Sequence, residues 1–385
     1  MKVSEKITVD FQKCHDLIPG LPSALAMECL IRVPYQFQST MKSVCSSWRT
    51  LLSDSDFIKE RRRCSKAELL LCLVQPLLPP IPASKAVKET LIEKDKKNEP
   101  RVFVTPRFGL SVYNATTATW NRVAFPNENL QIPLFCECVV IQDSATILLI
   151  GGWDPVTLQP SRDVYILEFA GKRWRKGAPM KESRSFFACG LIGTTKVYVA
   201  GGHDDQKNAL RSAEVYDVER DEWSLISPMN EERDECQGFV IGTDLAFCVL
   251  SGYATETQGR FRSDAEIYDP VTNSWSKIEN IWPFVDTNPR GRIVGGSSKL
   301  WCFTDRELQS KKDDSKLEVE YIQLPVKGSS VFAGSLGGEA VVMVSGRREC
   351  EGEGVMMKMT TGKWSCMQIP NGFSTLPFSY ASIYV

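Results

Sequence analysis

The chain has 385 residues, 46 Lys and Arg against 47 Asp and Glu, and a formal charge of −1. That balance gives no global field for nucleic acid or an anionic membrane, and apolar runs such as "LLLCLV" fall far short of a bilayer span. Thirteen irregularly spaced cysteines without a C-x-x-C pair, and only two histidines, point to reduced, packed thiols and no structural metal in an intracellular protein.

The opening "MKVSEKITVDFQKCHD" lacks an apolar h-region, which predicts a disordered stretch over 1–16 and no secretory leader. Over 17–62 apolar residues recur at three and four: Leu21, Leu25, Cys29, Leu30, Val33, then Met41, Val44, Cys45, Trp48, Leu51 and Leu52. This is the pattern of short amphipathic helices, interrupted by Pro22 and Pro34. So small a segment cannot bury those groups alone, so it either docks on the rest of the chain or awaits a partner. The run "KERRRCSK" (59–66) reads as a solvated helix end or as a nuclear address. "PLLPPIPASKAVKETLIEKDKKNEP" (76–100), with five prolines and a charged run, is expected to be a flexible polar insertion.

Residues 63–385 are repetitive. Tryptophans fall at 120, 174, 223, 275 and 364, and small pairs at Gly151-Gly152, Gly201-Gly202, Ser251-Gly252 and Ser345-Gly346. Each pair ends an apolar run ("TILLI", "KVYVA", "LAFCVL", "AVVMV"). An earlier apolar run precedes that one and two later runs come after it, the last around the Trp. Four short strands per period of about fifty is a propeller blade with the kelch period. The expected fold is mainly β: a six-bladed kelch propeller behind a small all-α module. Copies begin near 133, 184, 233, 291 and 329, the one from 291 being degenerate. An incomplete copy comes first and lacks its opening strand. The final "LPFSYASIYV" (376–385) matches the opening strands of the others, so it is expected to complete blade one and close the ring.

Turns between strands one and two, and three and four, are short. The two-to-three loops are long and varied, and the four-to-one connections are polar. One face should therefore project Trp153, His203, Tyr253, Phe261, Arg162, Arg184, Arg211, Arg233 and Arg262, the residue types that dominate protein interfaces. Any of these arginines could instead bridge to Glu214, Glu266 or Asp163 within the ring.

"LPSALAMECLIRVP" followed by "VCSSWRTLLSDSDF" resembles the F-box motif. The resemblance implies docking of a Skp-type adaptor of a cullin-RING ubiquitin ligase. By motif position, Leu21, Pro22, Leu30, Val33, Pro34, Val44, Cys45, Trp48 and Leu51 should form or support the adaptor-facing surface; several could equally build the module's own core. An F-box followed by kelch repeats is a common plant architecture. Phrases such as "GGWDPVTLQPSRDVY" and "VYVAGGHDDQKNALRSAEVYDVERDEW" are similar to one of its subgroups. That likeness implies capture of phenylalanine ammonia-lyase for ubiquitination and degradation, which restrains phenylpropanoid synthesis, with type-B response regulators of cytokinin signalling as the alternative target. A cytoplasmic or nuclear site of action is expected with it. The competing readings are a propeller enzyme and a ligase-independent scaffold. Adjacent His203-Asp204-Asp205 on one loop is no positioned dyad and no catalytic motif is present, so the expectation is a protein without cofactor that performs no bond chemistry.

Overall fold

The computed structural model describes residues 17–77, 107–125, 131–169, 171–241, 246–295, 299–304, 318–324, 330–345, 355–360 and 363–385. The stretch expected to be disordered at 1–16, and all but the first two residues of the insertion at 76–100, lie outside them.

Four helices come first: α1 (Ser23–Leu30), α2 (Gln38–Val44), α3 (Ser46–Ser53) and α4 (Ser55–Arg63). Pro34 takes an extended backbone (φ −56°, ψ 145°), which separates α1 from the single turn Tyr35–Phe37 that leads into α2. Cys45 caps α3 by accepting the Trp48 N–H at 3.4 Å, and Asp54 caps α4 by accepting the Asp56 N–H at 2.9 Å. Ala26, Leu30, Ile31, Met41, Leu51, Leu52 and Phe57 form the core between the helices.

The rest is a ring of sheets, each innermost strand touching the next in cyclic order. From the axis outward, the first sheet is Ser379–Tyr384, Leu69–Pro76, Phe108–Asn114 and Thr119–Val123. The second is Glu137–Ile141, Thr146–Ile150, Val164–Glu168 and Arg173–Gly177; the third is Ala188–Ile192, Lys196–Ala200, Ala213–Asp217 and Glu222–Ile226. The fourth is Gln237–Ile241, Ala246–Leu250, Ala265–Asp269 and Ser274–Ile278. Among the described residues the fifth has three strands, Ile293–Gly295, Lys299–Thr304 and Glu318–Gln323; the sixth is Ser330–Leu336, Glu339–Ser345, Val355–Thr360 and Lys363–Gln368. The fold is a mainly β kelch propeller, and among the described residues five sheets are complete blades. The fifth sheet is not the four-stranded meander expected of a sixth blade: its last two strands run parallel, Lys299 opposite Glu318 and Thr304 opposite Gln323. It lacks the late Trp that each of the other five sheets carries.

Those recurring letters have visible work. Gly151, Gly152, Gly201, Gly202 and Gly252 all have positive φ, and a Cβ at Gly152 or Gly202 would collide with the carbonyl of Leu134 or Ser185. Trp174, Trp223 and Trp275 each donate their indole N–H to a carbonyl of the preceding sheet's trailing segment: Ala124 at 3.0 Å, Ala178 at 2.8 Å and Ser227 at 2.6 Å. Tyr216 packs on Trp223 (4.9 Å between centroids) and Tyr268 on Trp275 (5.1 Å). The Tyr216 hydroxyl donates to Asp221, whose carboxylate also accepts the Ala178 N–H at 2.7 Å; Tyr268 and Asn273 repeat the arrangement onto Ser227. The second, third and fourth sheets are thus each fastened to the one before. The last strand closes the circle, Leu69 pairing with Tyr384 through Val74 with Ser379.

Candidate partner-binding surfaces

The helices rest on one end of the ring. Tyr35 and Ile58 enter the apolar cluster of the first two sheets, and Tyr35 meets Phe169 at 5.5 Å. Lys42 pairs with Glu168 at 2.6 Å, at the three-to-four turn of the second sheet. Glu68, ahead of the strand Leu69–Pro76, accepts the Tyr35 N–H at 2.6 Å and the Asn114 amide at 3.1 Å. Buried Arg61 donates to the carbonyls of Ile31 (2.7 Å), Val33 (2.6 Å) and Lys66 (3.1 Å). The run 59–66 is therefore a helix end whose first arginine, Arg61, is built into the junction while Arg62 and Arg63 stay exposed.

The motif residues divide into two groups. Leu30 and Leu51 lie in the helical core and can only support a surface from beneath. Leu21, Val33 and Trp48 are half-buried against the same core, the Trp48 indole held by the Leu17 carbonyl at 2.6 Å. Pro22, Pro34, Val44 and Cys45 are exposed. Two more exposed apolar side chains, Leu25 (54 %) and Phe37 (50 %), join Val44 (61 %) among the groups this module leaves in water. Leu25 was visible in the helical pattern; Phe37 sits in a 3₁₀ turn and belongs to no periodic run.

The opposite end of the ring carries the two-to-three loops and the four-to-one connections, tied together by bridges such as Leu134–Trp153, Ser185–His203 and Asp234–Tyr253. Here the expected projecting set needs correction. Arg184 is fully buried and pairs with Glu214 at 2.9 Å; Arg233 is fully buried between Glu266 (3.1 Å) and Asp264 (2.9 Å). Glu214 and Glu266 in turn accept the backbone N–H groups of Lys181 with Glu182 and Asn230 with Glu231, so each pair pins a connection to its sheet. His203, Tyr253 and Phe261 are also buried, because each packs under its own loop. Arg262 is half-buried and paired with Asp264 and Glu231. Arg162 and Arg211 are exposed and Trp153 is half-buried, so these remain accessible.

Burial pushes the Asp264 carboxyl up, but Arg262, Arg233 and Lys277 more than reverse it and hold the group well below the usual carboxylate range. This face is charged yet internally compensated.

The axis of that face holds a cluster absent from the expected set. Phe135, Phe186 and Phe378 meet one another at 5.0–5.3 Å, and Trp153 joins Phe135 at 5.3 Å. All four are partly exposed. Beneath them Arg290 donates to the carbonyls of Phe187 (3.0 Å) and Cys236 (2.6 Å), pairs with Glu137, and lies 4.6 Å from the Phe378 ring. It caps a channel cavity of about 320 Å³ between the innermost strands. The signal was present: each of the three phenylalanines lies one or two residues ahead of an opening strand, in "LFCEC", "SFFAC" and "PFSYA". Phe135 and Phe186 hold positive φ (58° and 57°), a conformation costly to a bulky residue and kept only by surrounding structure.

No helix among the described residues is long and apolar enough to cross a membrane. Residues 184–230 match the Kelch motif family model. The chain is 71 % identical to the F-box/kelch-repeat protein At2g44130 of Arabidopsis thaliana, with both chains covered in full. It is 57 % identical to the F-box/kelch-repeat protein SKIP20 of the same plant, again over all of both chains. To the F-box/kelch-repeat protein At1g15670, also of Arabidopsis thaliana, it is 33 % identical over 91 % of this chain and 94 % of that one.

Proposed function

This chain belongs to the F-box/kelch-repeat family, and on that premise we propose that it is the target-recognition subunit of a Skp/cullin/F-box ubiquitin ligase. The observation that carries the reading is the placement of two different surfaces at opposite ends of one rigid body. The helical end leaves Leu25, Phe37, Val44, Pro22 and Pro34 in solvent, the chemistry of an apolar docking face for a Skp-type adaptor. The loop end offers the half-exposed aromatic cluster around Phe135, Trp153, Phe186 and Phe378, with Arg162 and Arg211 exposed on loops of the same end. We read the ring as six-bladed, with the three-stranded fifth sheet filling the place of a blade between the fourth and the sixth.

In this role the protein breaks and forms no bonds. Holding a target on a body fixed to the ligase raises the local concentration of target lysines at the loaded ubiquitin carrier. The junction matters because a loose hinge would dilute that effect; here Arg61, Glu68, Tyr35 and Lys42 fix the helices to the ring. The proposed target is phenylalanine ammonia-lyase, supported by the likeness of the two-to-three loop phrases, which makes the protein a brake on phenylpropanoid synthesis. Cytoplasm and nucleus are the proposed sites of action.

The test is co-purification of the full chain from plant extract. A Skp-type adaptor and the lyase are both expected, the adaptor alone being lost on Leu21→Ala/Pro22→Ala and the lyase alone on Trp153→Ala/Arg211→Ala. Recovery of type-B response regulators in place of the lyase changes the target and keeps the ligase role. Recovery of neither adaptor nor ubiquitination activity leaves a scaffold.

A further inference from the structure

Beside the aromatic cluster lies a chain of polar groups centred on His203. Asp234 engages His203 Nδ1 through both carboxylate oxygens, at 2.9 and 3.0 Å. With that proton donated to Asp234, His203 Nε2 is left as the acceptor, and it faces two donors: the Lys207 ammonium at 3.2 Å and the Trp153 indole N–H at 3.4 Å. The Lys207 Nζ also sits 3.8 Å above the Trp153 ring. His203 and Asp234 are buried, whereas Lys207 is exposed, so a reagent can reach the amine but not the imidazole behind it.

The backbone is arranged to aim this lysine. Lys207 has φ +64°, a conformation that a long L side chain adopts only under constraint. Asp204 supplies the constraint by accepting the N–H groups of Gln206 (2.9 Å) and Asn208 (2.8 Å), while its carbonyl accepts that of Lys207 (3.2 Å). The resulting turn folds the side chain back over Trp153 and onto His203. Loss of water around the amine lowers its affinity for a proton, and the charge of Asp234 opposes that without cancelling it. Asp204 faces His203 from the loop side and adds to the negative surroundings of the imidazole.

We propose that Lys207 is a nucleophilic lysine, served by His203 as base and Asp234 as its orienting carboxylate, and that it is a site of acylation by thioester-class donors. In the reaction the proton passes from Lys207 Nζ to His203 Nε2. The freed lone pair attacks the donor carbonyl, the carbon–sulfur bond breaks, and the thiolate leaves with the proton from the imidazolium, while the second proton of the attacking nitrogen is lost to water as the amide forms. The product is a neutral amide over Trp153, at the edge of the Phe135–Phe186–Phe378 cluster. Acylation thereby removes a cation and covers part of the axial face, whichever partner that face serves.

The probe is acetyl thioester of a small thiol, applied in limiting amount to the full chain, with acetylation of each lysine tracked by peptide mass spectrometry across pH 6 to 9. Lys207 is expected to react several-fold faster than Lys181, an exposed lysine on the same end of the ring, and to keep its lead toward the acidic side. His203→Gln should bring Lys207 down to the Lys181 rate, and Asp234→Asn should shift its pH profile. Should His203→Gln fail to fold, the wild-type pH profile decides alone. Equal rates at Lys207 and Lys181 in the wild type, or an unchanged lead in folded His203→Gln, overturn the assignment.

Discussion

Arg61 and Glu68 face each other at 3.7 Å across the joint between helix α4 and the first sheet, both almost wholly buried. Glu68 also exchanges two backbone hydrogen bonds with Val385, so the residue that receives the helices is the one that receives the end of the chain. Docking of the module and closure of the ring therefore share one point. Arg61→Ala leaves Glu68 and the carbonyls of Ile31, Val33 and Lys66 without their donor. It should cost about 3–5 kcal/mol, read as a drop in the denaturant midpoint, with faster amide exchange at both the helices and the last strand. Exchange confined to the helices would show that the two are uncoupled.

The inter-blade tryptophans offer a graded test. Trp223→Phe keeps most of the packing on Tyr216 and removes the bond to the Ala178 carbonyl, an expected loss of about 1 kcal/mol. Trp223→Ala adds a cavity in the second cluster and should lose about 3–5 kcal/mol. Equal losses for both variants would mean that the packing of the ring adds nothing to the joint beyond its N–H.

Ser251 stands where the second and third sheets have Gly151 and Gly201. It is fully buried at φ +58°, and its hydroxyl has no hydrogen-bond partner among the described residues. Ser251→Gly removes the left-handed strain and the unsatisfied hydroxyl, and should stabilise the protein by about 1 kcal/mol, seen as a higher Tm. A lower Tm would point to a role for the hydroxyl.

Asp264 sets part of the acid limit. Its folded carboxyl is held below the value of an unfolded aspartate, near about 3.9. The stability it contributes is thus present above that value and is lost as pH falls through the folded one. The wild type should lose Tm steeply below about pH 4, and Asp264→Asn, weaker at neutral pH because Arg233 loses a partner, should show a shallower acid limb. Parallel curves for the two proteins would contradict this.

Much of the ring was legible because its letters have obligatory jobs: Gly202 has no room for a Cβ, and Trp223 is long enough, with a donor at its far edge, to reach the Ala178 carbonyl behind the preceding sheet. The closing strand was legible because "LPFSYASIYV" repeats the pattern of "IPLFCECVVI". The binding surface was less so. Arg184 and Arg233 look identical in sequence to exposed arginines; only their facing Glu214 and Glu266, some thirty residues on, bury them, and period alone does not tell a bridge from a hot spot. His203, Tyr253 and Phe261 sit on loops whose small pairs turn the chain inward rather than out. The axial phenylalanines were overlooked because an aromatic ahead of a strand reads as core. Their exposure depends on the strands converging at the axis, which no local pattern encodes. The parallel pairing of Glu318–Gln323 was likewise invisible, since parallel and antiparallel strands share the same alternation.

The central claim is that exposed side chains of the helical end grip an adaptor while the far end of the ring holds the target. Its most direct test is the affinity of a purified Skp-type adaptor for the full chain and for Phe37→Glu/Val44→Glu. Both positions are exposed, so Tm and target capture should stay at wild-type values. The predicted result is loss of adaptor binding with both preserved; undiminished adaptor binding by the folded variant would contradict the account.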